Sequence, residues 1–366
     1  MTRPVLAAVD IGGTKTAAAL VRGGTVLVRT QAPTPATAGA AAVLDTAAEL
    51  VRSLGGAPVA VGVGAPGLVD PATGRVTAAT SSIREWSEVD VVAGLGVRLG
   101  LPGAVLNDGQ AFTLGEAVHG AGRELPTVLG VAVGTGVGGG VLAAGRLLTG
   151  RHGAAGHLGH VPVPQAAGRP CPCGATGHVE AVASGPAMTA AYAARAGRPQ
   201  AAASGLVTAS GHAAGDLPEV VRRARAGDPD ARAVLALAGE ALGTALAGLA
   251  NTLDPDAVVI GGGAAVAELL DALRPAFAAA CLPVLGTVPL VPAALGTDAQ
   301  LVGAAEAALR ALPSRIDPAG PTRAAPTGVA ASQVDAGLAG GRQQRSAGRR
   351  HRDGSAAAAP QRTVVR

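Results

Sequence analysis

The sequence of 366 residues predicts an α/β protein of two lobes, each a mixed sheet flanked by helices, with a cleft between them. Residues 5–21 have the pattern strand, glycine turn, strand, and the same pattern returns at residues 128–148. A third glycine turn, at residues 261–263, follows another apolar strand. Glycine turns at strand ends expose backbone N–H groups to anions. The three turns therefore predict a site for one nucleotide, held between the lobes.

The first lobe begins with a three-stranded meander whose turns are marked by glycine. Its predicted elements are strands at 5–9, 16–21, 25–30, 59–63 and 105–106 and helices at 38–54 and 110–119.

The second lobe repeats the opening hairpin, with a glycine bend at residues 134–140. Its predicted elements are strands at 128–133, 141–148 and 256–260 and helices at 230–253, 264–280 and 299–312. We expect the last helix to return to the first lobe. The predicted lobes are therefore residues 1–112, completed by 298–312, and residues 113–297.

Three glycines of the second bend also have the spacing of a dinucleotide-binding turn, namely Gly134, Gly136 and Gly139. A Rossmann unit would need a helix after the turn and an acidic residue about 20 positions later to hold the ribose. No Asp or Glu occurs between Gly140 and Val179, and a second strand is expected where the helix should be. This excludes the dinucleotide fold and favours a hairpin bend that faces phosphate.

The positive charge of the chain is concentrated at its C-terminal end. The whole chain carries a formal +4, and residues 313–366, with nine Arg and three Asp, carry +6, which leaves −2 for residues 1–312. This segment has no apolar periodicity, so we expect a disordered basic tail rather than a nucleic-acid-binding domain. With no signal peptide and no membrane span expected, the predicted location is the cytoplasm.

Two of the three cysteines lie one residue apart in a segment that also contains histidine. Cys171 and Cys173 are too close for a comfortable disulfide. Together with His160 and His178 they offer four ligands of the types that suit tetrahedral zinc. Cys281 is expected to be a buried thiol.

These motifs together resemble the ROK family (repressors, open reading frames and sugar kinases) of the actin-like ATPase superfamily. The matching segments, in family order, are residues 10–15 (first phosphate motif), 106–108 (catalytic motif), 134–140 (second phosphate motif), 157–180 (zinc and sugar signature) and 258–263 (adenosine motif). The resemblance implies the two-lobed actin-like, ribonuclease H-like fold with a small zinc-binding loop. It also implies ATP-dependent phosphorylation of a sugar 6-hydroxyl, with ATP, Mg²⁺ and Zn²⁺ as cofactors, and a homodimer.

The resemblance implies that Asp108 is the catalytic base. A carboxylate at a strand end can accept the proton of the attacking hydroxyl, and Asn107 can hydrogen-bond the sugar. The alternative from the residues themselves is that the pair caps the following helix.

The predicted nucleotide site draws on all three glycine turns. Asp10 is expected to hold magnesium, and the expected ATP-binding residues are Asp10, Gly12, Gly13, Thr14, Lys15, Thr135, Gly136, Gly138, Gly139, Gly140, Gly261, Gly262 and Gly263.

The predicted sugar contacts are Asn107, Asp108, His157, His160 and Glu180. His157 stands where glucokinases of the family usually have Glu. In this respect the chain resembles the branch of the family that phosphorylates N-acetylmannosamine, which has a histidine at this point. That sugar is the expected substrate, with glucose as the alternative. His178 departs from the family, which has a third zinc-binding Cys at this point.

A second class of function is the sugar-responsive transcriptional repressor, which shares the family fold. Such proteins carry a helix-turn-helix domain of some tens of residues before the first phosphate motif. Nine residues precede Asp10. We therefore expect small-molecule substrates, a sugar and ATP, and neither nucleic acid nor a membrane as a partner.

Overall fold

The computed structural model describes residues 3–195 and 217–313. The first part of the chain contains β1 (Leu6–Ile11), β2 (Lys15–Arg22), β3 (Thr25–Pro33), α1 (Ala40–Ser53), β4 (Val61–Ala65), β5 (Leu68–Val69), β6 (Val76–Ala78), α2 (Val91–Leu99), β7 (Gly103–Asn107) and α3 (Asp108–His119). The second part contains β8 (Val128–Val133), β9 (Val137–Ala143), β10 (Arg146–Leu148), α4 (Glu180–Ala183), α5 (Gly185–Arg195), α6 (Leu217–Arg225), α7 (Pro229–Leu253), β11 (Ala257–Gly261), α8 (Ala267–Ala280), β12 (Leu290–Pro292) and α9 (Ala299–Ala311).

Two five-stranded mixed sheets are built on the same plan. The first has the strand order β3-β2-β1-β4-β7 and the second the order β10-β9-β8-β11-β12. In each sheet an antiparallel meander is extended by two parallel strands on the other side of its first strand. This confirms the predicted α/β class with mixed sheets flanked by helices.

Alternating residues of β1 show how helices cover both faces of the first sheet. Ala7 and Val9 pack in one buried cluster with α1 and α2, whereas Leu6 and Ala8 pack in another with α9. Because side chains alternate across a strand, a continuously apolar strand needs cover on both faces. The small side chains of β1 allow both helix layers to approach closely.

A central helix, α3, packs against α9 and also against β8 and β9 of the second sheet. Its contact with α9 depends on glycine, because a Cβ added to Gly303 would collide with the backbone of Ala111, and one added to Gly115 would collide with Ala299. α3 therefore contacts elements associated with both sheets, and the lobe boundaries given above stay a prediction.

The second glycine bend is shorter than predicted. β9 begins at Val137, so the bend covers only residues 134–136. The single strand expected at 141–148 is also wrong, since Ala144 and Gly145 both have positive φ and form a tight turn between β9 and β10. The helix predicted to begin at residue 264 begins at Ala267.

Within the described residues, α7 alone is long and apolar enough to cross a membrane. Of its most apolar window, 61% is buried, and the helix packs against α8. Core helices of globular proteins meet the same length and composition criteria. Of the predicted basic tail, residues 314–366 lie outside the described residues.

Candidate active site

Three parallel strands of the first sheet end together and bring two carboxylates to one edge. β1 and β7 both pair with β4, where Gly64 lies opposite Asp10 on one side and Leu106 on the other. The carboxyl ends of parallel strands are where open α/β sheets bind ligands. A Cβ on Gly64 would lie 3.6 Å from Asp10 Oδ1 and 3.9 Å from the Cα of Asp108. Glycine therefore keeps the space between these two residues open.

The side chain of Asn107 caps the N-terminus of α3, as the alternative interpretation of the Asn107–Asp108 pair predicted. Its oxygen accepts hydrogen bonds from the backbone N–H of Gly109 at 2.9 Å and of Gln110 at 3.4 Å. Its Nδ2 donates to the carbonyl of Gly67 at 3.1 Å. Capping fixes the first turn, where Asp108 Oδ1 also accepts from the Gly109 N–H at 2.8 Å. The cap is compatible with catalysis because it leaves Asp108 at the strand end.

Both carboxylates of this edge have raised pKa values. Burial raises the pKa of Asp108, hydrogen bonds to the carboxylate oppose this, and the charge of Glu180 raises it further. Burial and the charge of Asp108 raise the pKa of Asp10 to about 7, against the opposing charges of Lys15 and Arg29. A carboxylate whose proton affinity is raised in this way is a better general base at neutral pH.

The first glycine turn, residues 12–14, joins β1 to β2. The N–H of Gly12 donates to the carbonyl of Lys15 at 3.0 Å, and a Cβ on Gly12 would lie 2.9 Å from the same oxygen. Thr34 Oγ1 donates to the Gly12 carbonyl at 2.7 Å and lies 2.8 Å from Thr16 Oγ1. Thr34, the residue directly after β3, thus fixes the position of this turn through its side chain.

The second turn, residues 134–136, is closed by a hydrogen bond from the N–H of Gly134 to the carbonyl of Gly136 at 2.8 Å. The third turn lies beside it, because β11 and β8 are parallel neighbours. Gly262 has φ +94°, and the N–H of Ala264 donates to the Val133 carbonyl at 2.9 Å. A Cβ on Gly263 would meet no described atom within 4 Å, so this turn faces open space.

Three glycines predicted to cover phosphate lie in β9 rather than in the bend: Gly138, Gly139 and Gly140. A Cβ on Gly140 would lie 2.9 Å from the Cβ of Thr113, and one on Gly139 would collide with Leu158. The small size of Gly139 and Gly140 is thus required for packing of β9 against α3 and the segment that contains Leu158. Their contact with phosphate stays a prediction.

Glu180 begins α4 and reaches the second glycine turn. Its Oε2 accepts a hydrogen bond from the N–H of Val137 at 2.8 Å, and a Cβ on Gly136 would lie 2.7 Å from the same oxygen. Its Oε1 lies 4.0 Å from Cys171 Sγ. Glu180 therefore lies between the glycine turn and the cysteine segment.

The four predicted zinc ligands come together in the structure. The donor atoms of His160, Cys171, Cys173 and His178 all lie within 4.8 Å of one another. Cys171 Sγ is 3.6 Å from His160 Nδ1, and Cys173 Sγ is 3.3 Å from His178 Nδ1. Zn–S and Zn–N bonds in tetrahedral geometry hold ligand atoms roughly 3.3–3.8 Å apart. The donor set and its spacing fit zinc.

His157 has a buried ring nitrogen, Nδ1, with no hydrogen-bond partner among the residues that the structure describes. Its ring stacks on that of His160 with centroids 6.4 Å apart. Burial, and then the charge of His160, lower the pKa of His157, which favours the neutral ring. Buried polar atoms are nearly always paired, so this nitrogen is suited to meet a ligand.

Two further side chains shape the site and carry no motif that the sequence analysis detected. Gln110 Nε2 donates to the carbonyls of Gly153 at 3.1 Å and Ala155 at 3.0 Å, which holds the loop ahead of His157. Trp86 Nε1 donates to the carbonyl of Pro66 at 3.0 Å, next to the strand end at β4. Their partners are distant in sequence, so spacing alone could not have identified them.

Comparison with known proteins places the chain in a family. Residues 6–311 match the ROK family. The glucokinase of Halalkalibacterium halodurans is 34% identical over 307 residues, 81% of this chain and 92% of that protein. The N-acetylmannosamine kinase of Escherichia coli is 34% identical over 302 residues, 81% of this chain and 96% of that protein.

A bifunctional enzyme NanE/NanK of Brucella melitensis is 36% identical over 310 residues, 83% of this chain, and the chain spans about half of that protein, 54%. Among solved structures, the ROK family glucokinase from Streptomyces griseus in complex with glucose and AMPPNP has a TM-score of 0.71 and 33% identity, over 84% of this chain and 99% of that one. The family match over nearly all described residues and these similarities show that the chain belongs to the ROK family.

Proposed function

We propose that this protein is an ATP-dependent kinase that phosphorylates the 6-hydroxyl of N-acetylmannosamine. The observation that carries the proposal is the position of Asp108. It is a buried carboxylate with a raised pKa at the end of β7, across Gly64 from Asp10. Glycine turns lie at the ends of β1, β8 and β11. This combination suits transfer of a phosphoryl group to a hydroxyl.

In the proposed reaction Asp108 accepts the proton of the sugar hydroxyl as its oxygen attacks the γ-phosphorus. The bond from the γ-phosphorus to the β,γ-bridging oxygen breaks, and ADP leaves with that electron pair. Asp108 then releases its proton to solvent. Asn107 holds Asp108 at the first turn of α3 and can hydrogen-bond the sugar.

The nucleotide phosphates are assigned to the first and second glycine turns, and the adenine and ribose to the third, at residues 261–263. Magnesium, when bound, neutralises charge on the phosphates. Asp10 is the residue that would hold it, directly or through water, and ionisation of Asp10 would then be favoured.

The sugar is assigned to the neighbourhood of Asp108, with Asn107, His157, His160 and Glu180 as its proposed contacts. The unpaired Nδ1 of His157 supports a hydrogen bond to sugar. Zinc on the four-ligand cluster would be structural, with His160 and Glu180 held toward the sugar. The proposed compartment is the cytoplasm, and the expected homodimer and the lack of nucleic-acid and membrane partners stay predictions.

The alternative within the same chemistry is a glucokinase, favoured by glucokinase relatives at a comparable 34% identity. Specificity is a difference of affinities spread over several contacts, so His157 alone is a weak discriminator. The alternative from another class of function is a transcriptional regulator of the same family. No feature of the described residues favours it.

The test is ADP release by the full-length, zinc-loaded protein with ATP and, in parallel, N-acetylmannosamine, glucose, N-acetylglucosamine and mannose. We expect the highest kcat/KM for N-acetylmannosamine. A preference for glucose would keep the kinase and overturn the sugar. No turnover with any of the four would overturn the proposed substrate class.

A further inference from the structure

The first residues of α4 and α5, Glu180 and Gly185, hold both ends of the second glycine turn. At one end the Glu180 carboxylate accepts the hydrogen bond of the Val137 N–H at 2.8 Å. At the other end the N–H of Gly185 donates to the carbonyl of Gly134 at 2.8 Å. Residues 134–136 are thus attached to a segment more than 40 residues later in the chain.

The contact of Glu180 is of a strong kind. A hydrogen bond from an N–H to an ionised carboxylate is shorter and stronger than one between neutral groups. The carboxylate also packs against Gly136, where even a methyl group would lie 2.7 Å from Oε2. The turn therefore has little freedom to move toward α4, and loss of the hydrogen bond would free it to move away.

We propose that Glu180 is a positioning residue for the glycine turn at 134–136, in addition to its predicted contact with sugar. The inference rests on the proposed function to the extent that this turn binds the nucleotide phosphates. It does not depend on which sugar is the substrate. One carboxylate then serves both substrates, with Oε2 on the turn and Oε1 available to the sugar.

The same contacts give the zinc cluster a second role. Glu180 follows the ligand His178 by two residues, and its Oε1 lies 4.0 Å from the ligand Cys171. A zinc ion held by His178 would therefore also restrict the start of α4, which begins two residues later. The cluster therefore supports the phosphate-binding turn as well as the sugar side of the site.

The test compares Glu180→Ala and Glu180→Gln in the full-length, zinc-loaded protein without sugar. The matched control is Glu240→Ala, an exposed residue of α7. The readouts are hydrogen exchange of the Val137 amide and the affinity for Mg²⁺–AMPPNP by calorimetry. A charge-assisted hydrogen bond corresponds to about a tenfold change in either quantity.

We expect Glu180→Ala to exchange the Val137 proton about tenfold faster and to bind AMPPNP about tenfold more weakly. Glu180→Gln should recover most of both losses, because its amide oxygen can accept the same hydrogen bond. If Glu180→Ala leaves both readouts at the level of the control, the positioning role is overturned and Glu180 contacts sugar alone.

A second variant, Gly136→Ala, keeps the proposal testable if Glu180→Ala folds poorly. Gly136→Ala places a methyl group against the Glu180 carboxylate, so it should break the same hydrogen bond. Gly136→Ala should then speed exchange of the Val137 amide about tenfold, whereas exchange at the rate of the control would overturn the proposal. If the wild type does not bind AMPPNP at all, the proposed function fails, and Val137 exchange alone still decides whether Glu180 holds the turn.

Discussion

Asp10 and Asp108 lie on either side of Gly64, and the charge of Asp108 adds to burial in raising the pKa of Asp10 to about 7. The ordinary value for this side chain is 3.8. Between about pH 4 and pH 7 the folded protein therefore holds a proton that the unfolded chain has released. The free energy of unfolding must fall as pH rises through this window, by up to about 1.4 kcal/mol per pH unit from this one group.

Replacement of Asp10 by Asn should remove that loss. In magnesium-free buffer, the free energy of unfolding of Asp10→Asn should exceed that of the wild type by a margin that grows from pH 5 to pH 7.5. Urea unfolding at the two pH values measures the margin. A margin that does not change with pH would contradict the raised pKa. Kinase activity should be lost, because the proposed magnesium ligand is gone.

Asp108→Asn should lower kcat by about 10²–10⁴-fold, the usual contribution of a general base. Its Oδ1 can still accept from the Gly109 N–H, and Asn107 still caps α3. Sugar binding measured by calorimetry should therefore stay within about threefold of the wild type. A variant that retains more than a tenth of wild-type kcat would exclude Asp108 as the base.

Trp86, the only tryptophan in the chain, should report sugar binding by fluorescence. Its indole is buried, and Nε1 donates a hydrogen bond to the carbonyl of Pro66. The carbonyl of the next residue, Gly67, accepts a hydrogen bond from Nδ2 of Asn107. A sugar that engages Asn107 should change this environment and give a saturable change in emission. Asn107→Ala should abolish the change while the spectrum of the free protein stays that of a buried indole. Calorimetric sugar binding without any emission change would contradict this connection.

The cluster of two histidines and two cysteines should bind one zinc ion per chain. His178→Cys should hold zinc more tightly against a competing chelator, because a thiolate replaces a neutral imidazole as ligand. Cys171→Ser should lose the metal, and Cys281→Ser is the control that should retain it. Zinc content by atomic emission and chelator competition measure both effects. Stoichiometric zinc in Cys171→Ser would show that the cluster is not the site.

Glu116 should be a major contributor to stability although no motif includes it. It is fully buried, and its carboxylate accepts hydrogen bonds from the N–H groups of Ala121 at 2.9 Å, Ala294 at 2.9 Å and Leu295 at 2.7 Å. Glu116→Ala should lower the free energy of unfolding by about 3–5 kcal/mol, since three amides lose their acceptor. Glu124→Ala, at an exposed glutamate, should change it by less than about 0.5 kcal/mol. Urea unfolding of the two variants checks the contrast.

Several parts of the site were predictable because their chemistry is local. Gly12 must lack a side chain for the turn between β1 and β2 to close, and this need is visible as a glycine between two apolar runs. The zinc ligands Cys171, Cys173 and His178 lie within eight residues, a spacing that already indicates a metal site.

Other parts were predicted wrongly or were missed because the deciding contact is distant. Gly139 looked like part of a phosphate bend, but it lies in β9, and Leu158 occupies the place of its side chain. Gln110 and Glu116 look like ordinary polar residues of a helix. Each is buried, and its side chain makes hydrogen bonds with backbone groups of another segment.

The sequence by itself determined the α/β class, the order of the glycine turns and the identity of the proposed base and metal ligands. The class and the turns depend on strand and helix periodicity, and the metal ligands lie close together along the chain, whereas the base is proposed from the resemblance of residues 106–108 to the catalytic motif of the ROK family. Only the tertiary structure decided that Asp10 and Asp108 share one edge, that Glu180 holds the turn before Val137, and that α3 packs between α9 and the second sheet. The physical reason is that parallel strand pairing and helix packing bring together groups that no local pattern connects, and burial then changes their proton affinities and hydrogen bonding.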